Sequence, residues 1–397
     1  MNEHYDLCVV GGGIQGAGIA QAAAINGLSV ALIEKNDWGA GTSSKSSKLI
    51  HGGLRYLQTF EFDLVQESLK ERRTLLNVAP DLVKPNWFYI PVYKSSFYRP
   101  WKISLGLGLY SFLSGKNNLN SWHKLKKSQW DTLNGLNTYD LQAVYAYQDA
   151  QTDDRLLTES VVESAKQNGA TLLCPATFEL AVWTDSGYRI TVTTNNEHQE
   201  IQARYLVNAA GPWVNHVSER VAPIPNQMNI DLVQGTHLVF RQPLGDHCFY
   251  LEAPQDQRAV FALPWKSGTL VGTTEKLFSG DPDHVVPSSE EVDYLLNVIR
   301  FYFPEYVHEP VDAWAGLRVL PASARKPFKR SREVQLTEDK NYIAVYGGKL
   351  TAYRATAEKV MAIMAKDLNI KIARSTDTMM LPALSPNHMN LEEYNQE

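Results

Sequence analysis

Two apolar runs near the N-terminus, one ending at Val10 and the other S-V-A-L-I before Glu34, flank an alanine-rich stretch. They predict a strand, a helix and a second strand. Residues 62–76 mix charged and apolar positions at helical spacing, so a charged amphipathic helix is expected there. The unit 155–173 reads as a helix stopped by Gly169 and followed by a strand. Residues 188–194 and 200–208 read as a β pair around N-N-E-H, and 203–211 carries a strand into the small residues A-A-G. The block from 230 to about 300 reads as strand-rich. Residues 342–346 supply a last parallel strand, and a helix then runs from Lys349 to about Leu368. The proline-punctuated stretch after 378 reads as an extended or unordered arm. No internal repeat interrupts this order.

These elements divide the chain into two interleaved bodies and a tail. Residues 1–80, 150–225 and 310–368 are assigned to a dinucleotide-binding domain, 81–149 and 226–309 to a substrate or cap domain, and 369–397 to the tail. The first domain carries the clearest chemistry. Gly11, Gly13 and Gly16 form G-x-G-x-x-G between the first strand and helix, and Glu34 closes the second strand. The glycines permit a tight turn, close backbone approach to a pyrophosphate and tight helix–strand packing. The helix start offers N–H groups to the anion, and an acid at Glu34 suits an unphosphorylated ribose 2′-OH. The pattern does not choose between NAD and FAD. The following loop crowds Thr42, Ser43, Ser44, Ser46 and Ser47 around Lys45 and Lys48, a composition able to wrap a diphosphate and a ring system.

Beyond the fingerprint come S-S-K-L-I-H-G-G-L-R-Y-L, A-A-G-P-W at 209–213, Q-G-T-H at 234–237, G-T-T-E at 272–275, A-G-L-R at 315–318 and G-G-K-L-T-A-Y-R at 347–354. In this order the chain resembles FAD-dependent glycerol-3-phosphate dehydrogenase from residue 5 to about 365. The resemblance implies an α/β fold: a Rossmann-like FAD-binding domain of the glutathione-reductase or D-amino-acid-oxidase kind, with a second substrate domain on an antiparallel sheet. It implies noncovalent FAD held by Gly11, Gly13, Ile14, Gln15, Gly16, Glu34, Lys35, Thr42, Ser43, Ser44, Ser47, Lys48, Leu49, Ala209, Ala210, Gly211, Gly316, Gly348, Lys349, Leu350 and Thr351. It also implies oxidation of sn-glycerol 3-phosphate to dihydroxyacetone phosphate, with electrons passed to a membrane quinone. Two residues depart from the family pattern: Val319 stands where proline usually follows A-G-L-R, and Glu275 where aspartate usually follows G-T-T. Longer members carry a C-terminal helical domain, for which no room is expected after residue 368.

Composition narrows the remaining classes. With 397 residues, 44% of them hydrophobic, the chain can bury large cores, and a net charge of −5 argues against a nucleic-acid binder. Cys8, Cys174 and Cys248 are isolated, without metal spacing, which suits a reducing cytoplasm and predicts no metal site. No signal peptide is expected before the fingerprint, and no apolar run spans a bilayer.

One region departs from the acidic average. Residues 82–130 contain no Asp or Glu but hold Lys84, Lys94, Arg99, Lys102, Lys116, Lys124, Lys126 and Lys127 among dense aromatics. The helix expected at 98–115 has a basic, Trp-flanked apolar character that suits a membrane interface. The alternative is a helix packed on its own sheet, its charge drawing in an anionic substrate. The first reading places the protein at the cytoplasmic face of the cell membrane; a homodimer stays open.

A polyol phosphate needs fixed cations, and the resemblance places Arg55, Tyr56, His237, Arg318, Arg332 and Lys349 around it. Oxidising a secondary alcohol needs a proton acceptor, for which His51 and His237 are the candidates, each with a purely structural alternative. Arg318 and Lys349 are expected to stabilise developing negative charge. Arg325, Lys326, Lys329 and Arg330 read as a solvated loop, and His4, His123, His198 and His216 as surface residues. The alternatives are a related oxidase of an amine or 2-hydroxy acid, an oxygen-using oxidase of the same substrate, and a flavin-binding module without catalysis.

Overall fold

The computed structural model describes residues 3–115, 119, 121–325 and 330–384. Lys116, Lys326, Lys329 and tail residues 385–397 lie outside the described residues. Two sheets organise the rest.

At the centre of the first sheet, five parallel strands lie in the spatial order Thr171–Leu173, Val30–Ile33, Glu3–Val10, Glu197–Asn208 and Tyr342–Tyr346. Both faces are covered, which explains the unbroken apolar runs. Leu7, Val9, Val30 and Leu32 face helices Ile14–Ile25, Asp154–Gln167 and Tyr353–Leu368. Cys8, Val10, Ala31 and Ile33 face the antiparallel ribbon of Thr177–Thr184 and Gly187–Thr194, through Phe178, Tyr188 and Ile190. Helix Ile14–Ile25 is apolar nearly all round because it is buried nearly all round. The helix expected from Lys349 begins at Tyr353.

The second sheet is mainly antiparallel. Its strands run in the order Lys276–Phe278, Ile230–Phe240, Gly268–Gly272, Ala259–Trp265, Cys248–Glu252, Val83–Tyr93, Leu141–Thr152 and Leu49–Ile50. Asp312–Pro321 pairs along Ile230–Phe240 and so lies in this sheet, although the sequence pattern groups 310–368 with the first. The 230–300 block is also not strand throughout. Ser289–Tyr302 is a helix, opened by a capping box between Ser288 and Glu291, that buries Leu295, Leu296 and Ile299 against the sheet.

Helix Pro100–Ser114 covers one end of the second sheet. Leu107, Tyr110 and Ser114 point inward, toward Tyr56, Leu69 and Tyr147. Trp101, Leu105, Leu109 and Phe112 form the opposite stripe and are exposed. Arg330 departs from the expected solvated loop: it is buried and paired with Asp231 at 2.5 Å, while Arg325 is exposed. His4, His123, His198 and His216 lie on the surface, as read from the sequence. After helix Tyr353–Leu368 the chain packs back on the body, where Leu381 N–H donates to the Val78 carbonyl at 2.7 Å.

Candidate active site

A cavity of about 540 Å³ runs between the two sheets, from the carboxyl ends of the parallel strands to Asp312–Pro321. Its first half is built by the fingerprint. Gly11, Gly13, Ile14 and Gln15 form one wall and Ala209, Ala210 and Gly211 another, with Glu34 and Lys35 at the rim. A side chain at Gly11 would strike the Ala209 carbonyl, because a Cβ there lies 2.5 Å from its oxygen. Glu34 holds the turn: its carboxylate accepts from Gly12 N–H at 2.8 Å and from Asn36 N–H at 2.9 Å. With one donor on each, both oxygens keep a lone pair for a ribose hydroxyl. The N-cap, Gly13, brings no side-chain acceptor to the helix start.

The hydroxyl-rich loop closes over this end. Ser43 Oγ accepts from Ile14 N–H at 2.9 Å, and Thr42 Oγ1 donates to the Leu317 carbonyl at 2.7 Å, so the loop ties one sheet to the other. Ser47 and Leu49 continue the wall, with Gly316 opposite and Gly348, Lys349, Leu350 and Thr351 beyond. Gly348 has φ +96°, and a Cβ there would lie 2.7 Å from Gln15 Nε2. Gln15 Oε1 is buried and without a hydrogen-bond partner among the described residues. A glycine-walled channel that ends at a helix start, with a buried acceptor beside it, fits an elongated dinucleotide with a polar ring.

Four residues expected at this wall stand behind it. Gly16 packs against the first turn, where a Cβ would lie 1.9 Å from the Gly11 carbonyl oxygen. Ser44 Oγ turns to the Gly41 carbonyl at 3.2 Å. Lys48 is buried, paired with Asp154, donates to the Ser44 carbonyl at 2.7 Å and lies over the Trp265 and Trp314 rings. Lys48 therefore anchors the loop and does not line the cavity. His237 does not line it either: it stacks on Trp314, with Nε2 2.9 Å from Ser47 Oγ. Lys35 reaches the rim, but its ammonium is held by Asp283 at 2.5 Å.

The far half of the cavity is cationic. Arg55, Arg318, Arg332 and Lys349 line it with His51 and Tyr56. Arg318 comes from strand Asp312–Pro321 and donates to Thr273 Oγ1 at 2.9 Å and to the Thr274 carbonyl at 3.2 Å. Arg332 pairs with Glu275, Arg55 lies 3.8 Å from the same carboxylate, and Lys349 Nζ lies 4.4 Å from the centre of the Tyr56 ring. Charge crowding leaves its mark on each neighbour. Burial, then Arg332, pushes Arg318 down to about 9, so it remains cationic at neutral pH. Burial raises Glu275, but Arg332, Arg318, Arg55 and Arg258 outweigh it and hold the carboxyl below its usual range. Burial, Lys349, Arg55 and Arg332 push His51 down to about 3.

The sequence motifs missed several groups that shape this end. Glu275 registers in sequence only as a departure from a pattern, yet it is the counter-ion shared by Arg332 and Arg55. Asp149 lines the cavity, pairs with Arg72 at 2.7 Å and accepts from Gly52 N–H at 3.1 Å, supporting the H-G-G turn from below. Its signal was an acid on an otherwise buried strand, Leu141–Thr152. Tyr147, Tyr250 and Phe261 supply aromatic wall that no motif marks.

Comparison with known proteins agrees with this architecture. The FAD dependent oxidoreductase family profile matches residues 6–361. An aerobic glycerol-3-phosphate dehydrogenase of Staphylococcus aureus is 33% identical over 380 residues, covering 92% of this chain and 68% of that protein. The crystal structure of glycerol-3-phosphate dehydrogenase from Bacillus halodurans, complexed with FAD, superposes with TM-score 0.76 at 28% identity, over 96% of this chain and 68% of that one. The FAD-bound L-α-glycerophosphate oxidase of Mycoplasma pneumoniae shares the fold, with TM-score 0.74 at 18% identity over 96% and 100% of the two chains.

Proposed function

The chain belongs to the FAD dependent oxidoreductase family, and from that premise we propose that it oxidises sn-glycerol 3-phosphate to dihydroxyacetone phosphate and passes the electrons to a membrane quinone. The observation that carries this reading is the cluster Arg55, Arg318, Arg332 and Lys349 at the far end of the cavity. A phosphate dianion is the ligand such a cluster favours, because guanidinium groups match its oxygens in bidentate geometry and burial strengthens each contact. Neutral amino acids or hydroxy acids carry one carboxylate and would leave part of that positive charge uncompensated.

FAD, when bound, accepts the hydride that leaves the substrate carbon. Gly11, Gly13, Ile14 and Glu34 would hold its nucleotide half, and Thr42, Ser43, Ser47, Gly316 and Gly348 would face the remainder. Arg318 and Lys349 bring positive charge to the oxygen on which negative charge develops. Arg55 and Arg332, steadied by Glu275, orient the phosphate. The aromatic wall of Tyr147, Tyr250 and Phe261 keeps water from the reacting carbon.

The same reading places the protein on the cytoplasmic face of a membrane. Trp101, Leu105 and Phe112 are 63%, 68% and 80% exposed on helix Pro100–Ser114, with Phe97, Phe60 and Phe62 also exposed. Lys102 and Arg99 stand beside them, the arrangement suited to a lipid surface with anionic headgroups. Among the described residues no helix is long and apolar enough to cross a membrane.

Turnover with an artificial dye acceptor tests the substrate. sn-Glycerol 3-phosphate should support it, whereas glycerol, proline and lactate should not; turnover of proline or lactate in its place would overturn the assignment. Reoxidation of the reduced enzyme by a short-chain quinone, faster than by dioxygen, is expected. Rapid peroxide formation would instead make it an oxidase.

A further inference from the structure

Arg318 is a buried cation with weak anchors of its own. Among the described residues it is held by two neutral oxygens, Thr273 Oγ1 at 2.9 Å and the Thr274 carbonyl at 3.2 Å, and by no carboxylate. Burial, then Arg332 and Arg55, work against its positive charge, while Glu275, engaged by those two arginines, favours it. Its guanidinium lies across Gly235, where a Cβ would come 2.7 Å from both terminal nitrogens. The place of Arg318 therefore depends on what fixes residues 273 and 274.

That support comes from a helix outside the cavity. Glu291 lies in the first turn of helix Ser289–Tyr302 and is buried. Its Oε1 accepts from Thr274 Oγ1 at 2.5 Å. Its Oε2 accepts from Gln234 Nε2 at 2.5 Å, from Ser288 Oγ at 3.1 Å and from Ser288 N–H at 3.2 Å. Capping the helix needs only the Ser288 bonds, so those to Thr274 and Gln234 go beyond it. A carboxylate has acceptors alone, which suits four converging donors; an amide would turn N–H against one of them. Thr274 gives its one hydroxyl proton to Glu291, and its oxygen then accepts from Thr236 N–H at 2.8 Å. Thr274 is thereby pinned between the helix and strand Ile230–Phe240, with its carbonyl turned to Arg318.

We propose that Glu291 is a positioning residue for the oxidation, holding Arg318 at the reacting end of the cavity through Thr274. The proposal rests on the alcohol oxidation proposed above. Without the carboxylate the Thr274 hydroxyl is free to rotate, residues 273 and 274 relax, and Arg318 is pushed off by Arg332 and Arg55. A shift of about 1 Å in a charge-stabilising group costs roughly a hundredfold in rate.

Two measurements on the holoenzyme test this. The first needs no substrate: the rate at which phenylglyoxal labels Arg318, read by peptide mass spectrometry. Glu291→Gln and Thr274→Val should each label Arg318 severalfold faster than wild type, and Thr274→Ser, which keeps the hydroxyl, should not. Unchanged labelling in Glu291→Gln and Thr274→Val overturns the proposal, whatever the substrate; should Glu291→Gln fail to fold, Thr274→Val carries the test. The second is anaerobic flavin reduction by sn-glycerol 3-phosphate. Its limiting rate should fall roughly ten- to a hundredfold in Glu291→Gln and Thr274→Val, with FAD content unchanged, and recover in Thr274→Ser. Ser288→Ala removes the cap alone, so it should lower the denaturation midpoint and keep the wild-type limiting rate. If Ser288→Ala slows reduction as much as Glu291→Gln, the effect is helix stability and the positioning role falls. A wild type that this substrate does not reduce overturns the substrate reading, and the labelling still decides on Glu291.

Discussion

Replacing Asp154 by Asn removes one charge from the buried pair that pins the hydroxyl-rich loop. Lys48 and Asp154 have side-chain exposures of 4% and 0%, and Asp154 also accepts from Ser46 N–H at 2.9 Å. Removing one partner of such a pair costs about 3–5 kcal/mol, because the other charge stays buried. Lys48 keeps the Ser44 carbonyl at 2.7 Å and two indole faces at 4.9 and 5.3 Å, which offset about 1 kcal/mol. A net loss of about 2–4 kcal/mol follows, roughly a thirty- to nine-hundred-fold shift in an equilibrium constant. The loss should concentrate where the pair acts. Thr42, Ser43 and Ser47 lie on the pinned loop and line the cavity proposed to hold FAD, so Asp154→Asn should weaken FAD retention as well as lower the denaturation midpoint. Flavin fluorescence on titrating apoprotein measures the first, and urea unfolding the second. The double variant Lys48→Met/Asp154→Asn buries no unpaired charge and should recover most of the loss. A single variant within about 0.5 kcal/mol of wild type, or a double variant no better than the single, would refute the reasoning.

Three further outcomes are expected. Gly16→Ala puts a Cβ 1.9 Å from the Gly11 carbonyl oxygen, so the pyrophosphate turn must open; the purified protein should contain little flavin, read from its visible absorbance. Trp101→Ser and Phe112→Ser each remove an exposed apolar anchor, and each should lower partition to anionic vesicles roughly tenfold or more in sedimentation assays. Burial pushes Glu71 up to about 7, with Arg354 only partly opposing it. The sign follows from linkage: the unfolded carboxyl ionises near 4.5 and the native one later, so the stability this group contributes is full below 4.5 and is lost as pH rises through about 7. Glu71→Gln should flatten that decline, seen as a smaller drop in denaturation midpoint between the two ends of the window.

The glycine-walled half of the cavity was legible in sequence because its signals are local. Gly11, Gly13, Gly16 and Glu34 belong to one strand–helix–strand unit, and the hydroxyl loop follows directly. Arg55, Arg318, Arg332 and Lys349 were legible through motifs, and the fold brings them to one cavity end. What could not be read is pairing across the chain. Lys48 sits in the loop's motif, but its partner Asp154 is distant in sequence and holds it behind the cavity wall. His237 follows small residues in a strand, and only the register of that strand shows that Ser47 stands between it and the cavity. The Glu275 carboxylate gains its meaning from Arg332 and Arg55, which no local pattern associates with it. Helix Ser289–Tyr302, by contrast, carried a readable capping signal, Ser288 with Glu291 before apolar residues at helical spacing; the strand-rich segments around it obscured that signal.

The most direct test of the whole account is anaerobic addition of sn-glycerol 3-phosphate to the purified flavoprotein, followed through the visible flavin band, with glycerol as control. Rapid bleaching by the phosphate ester and none by glycerol is the predicted result, since the cationic end of the cavity selects the dianion. A flavoprotein that keeps its colour with the ester, or bleaches equally with glycerol, would contradict it.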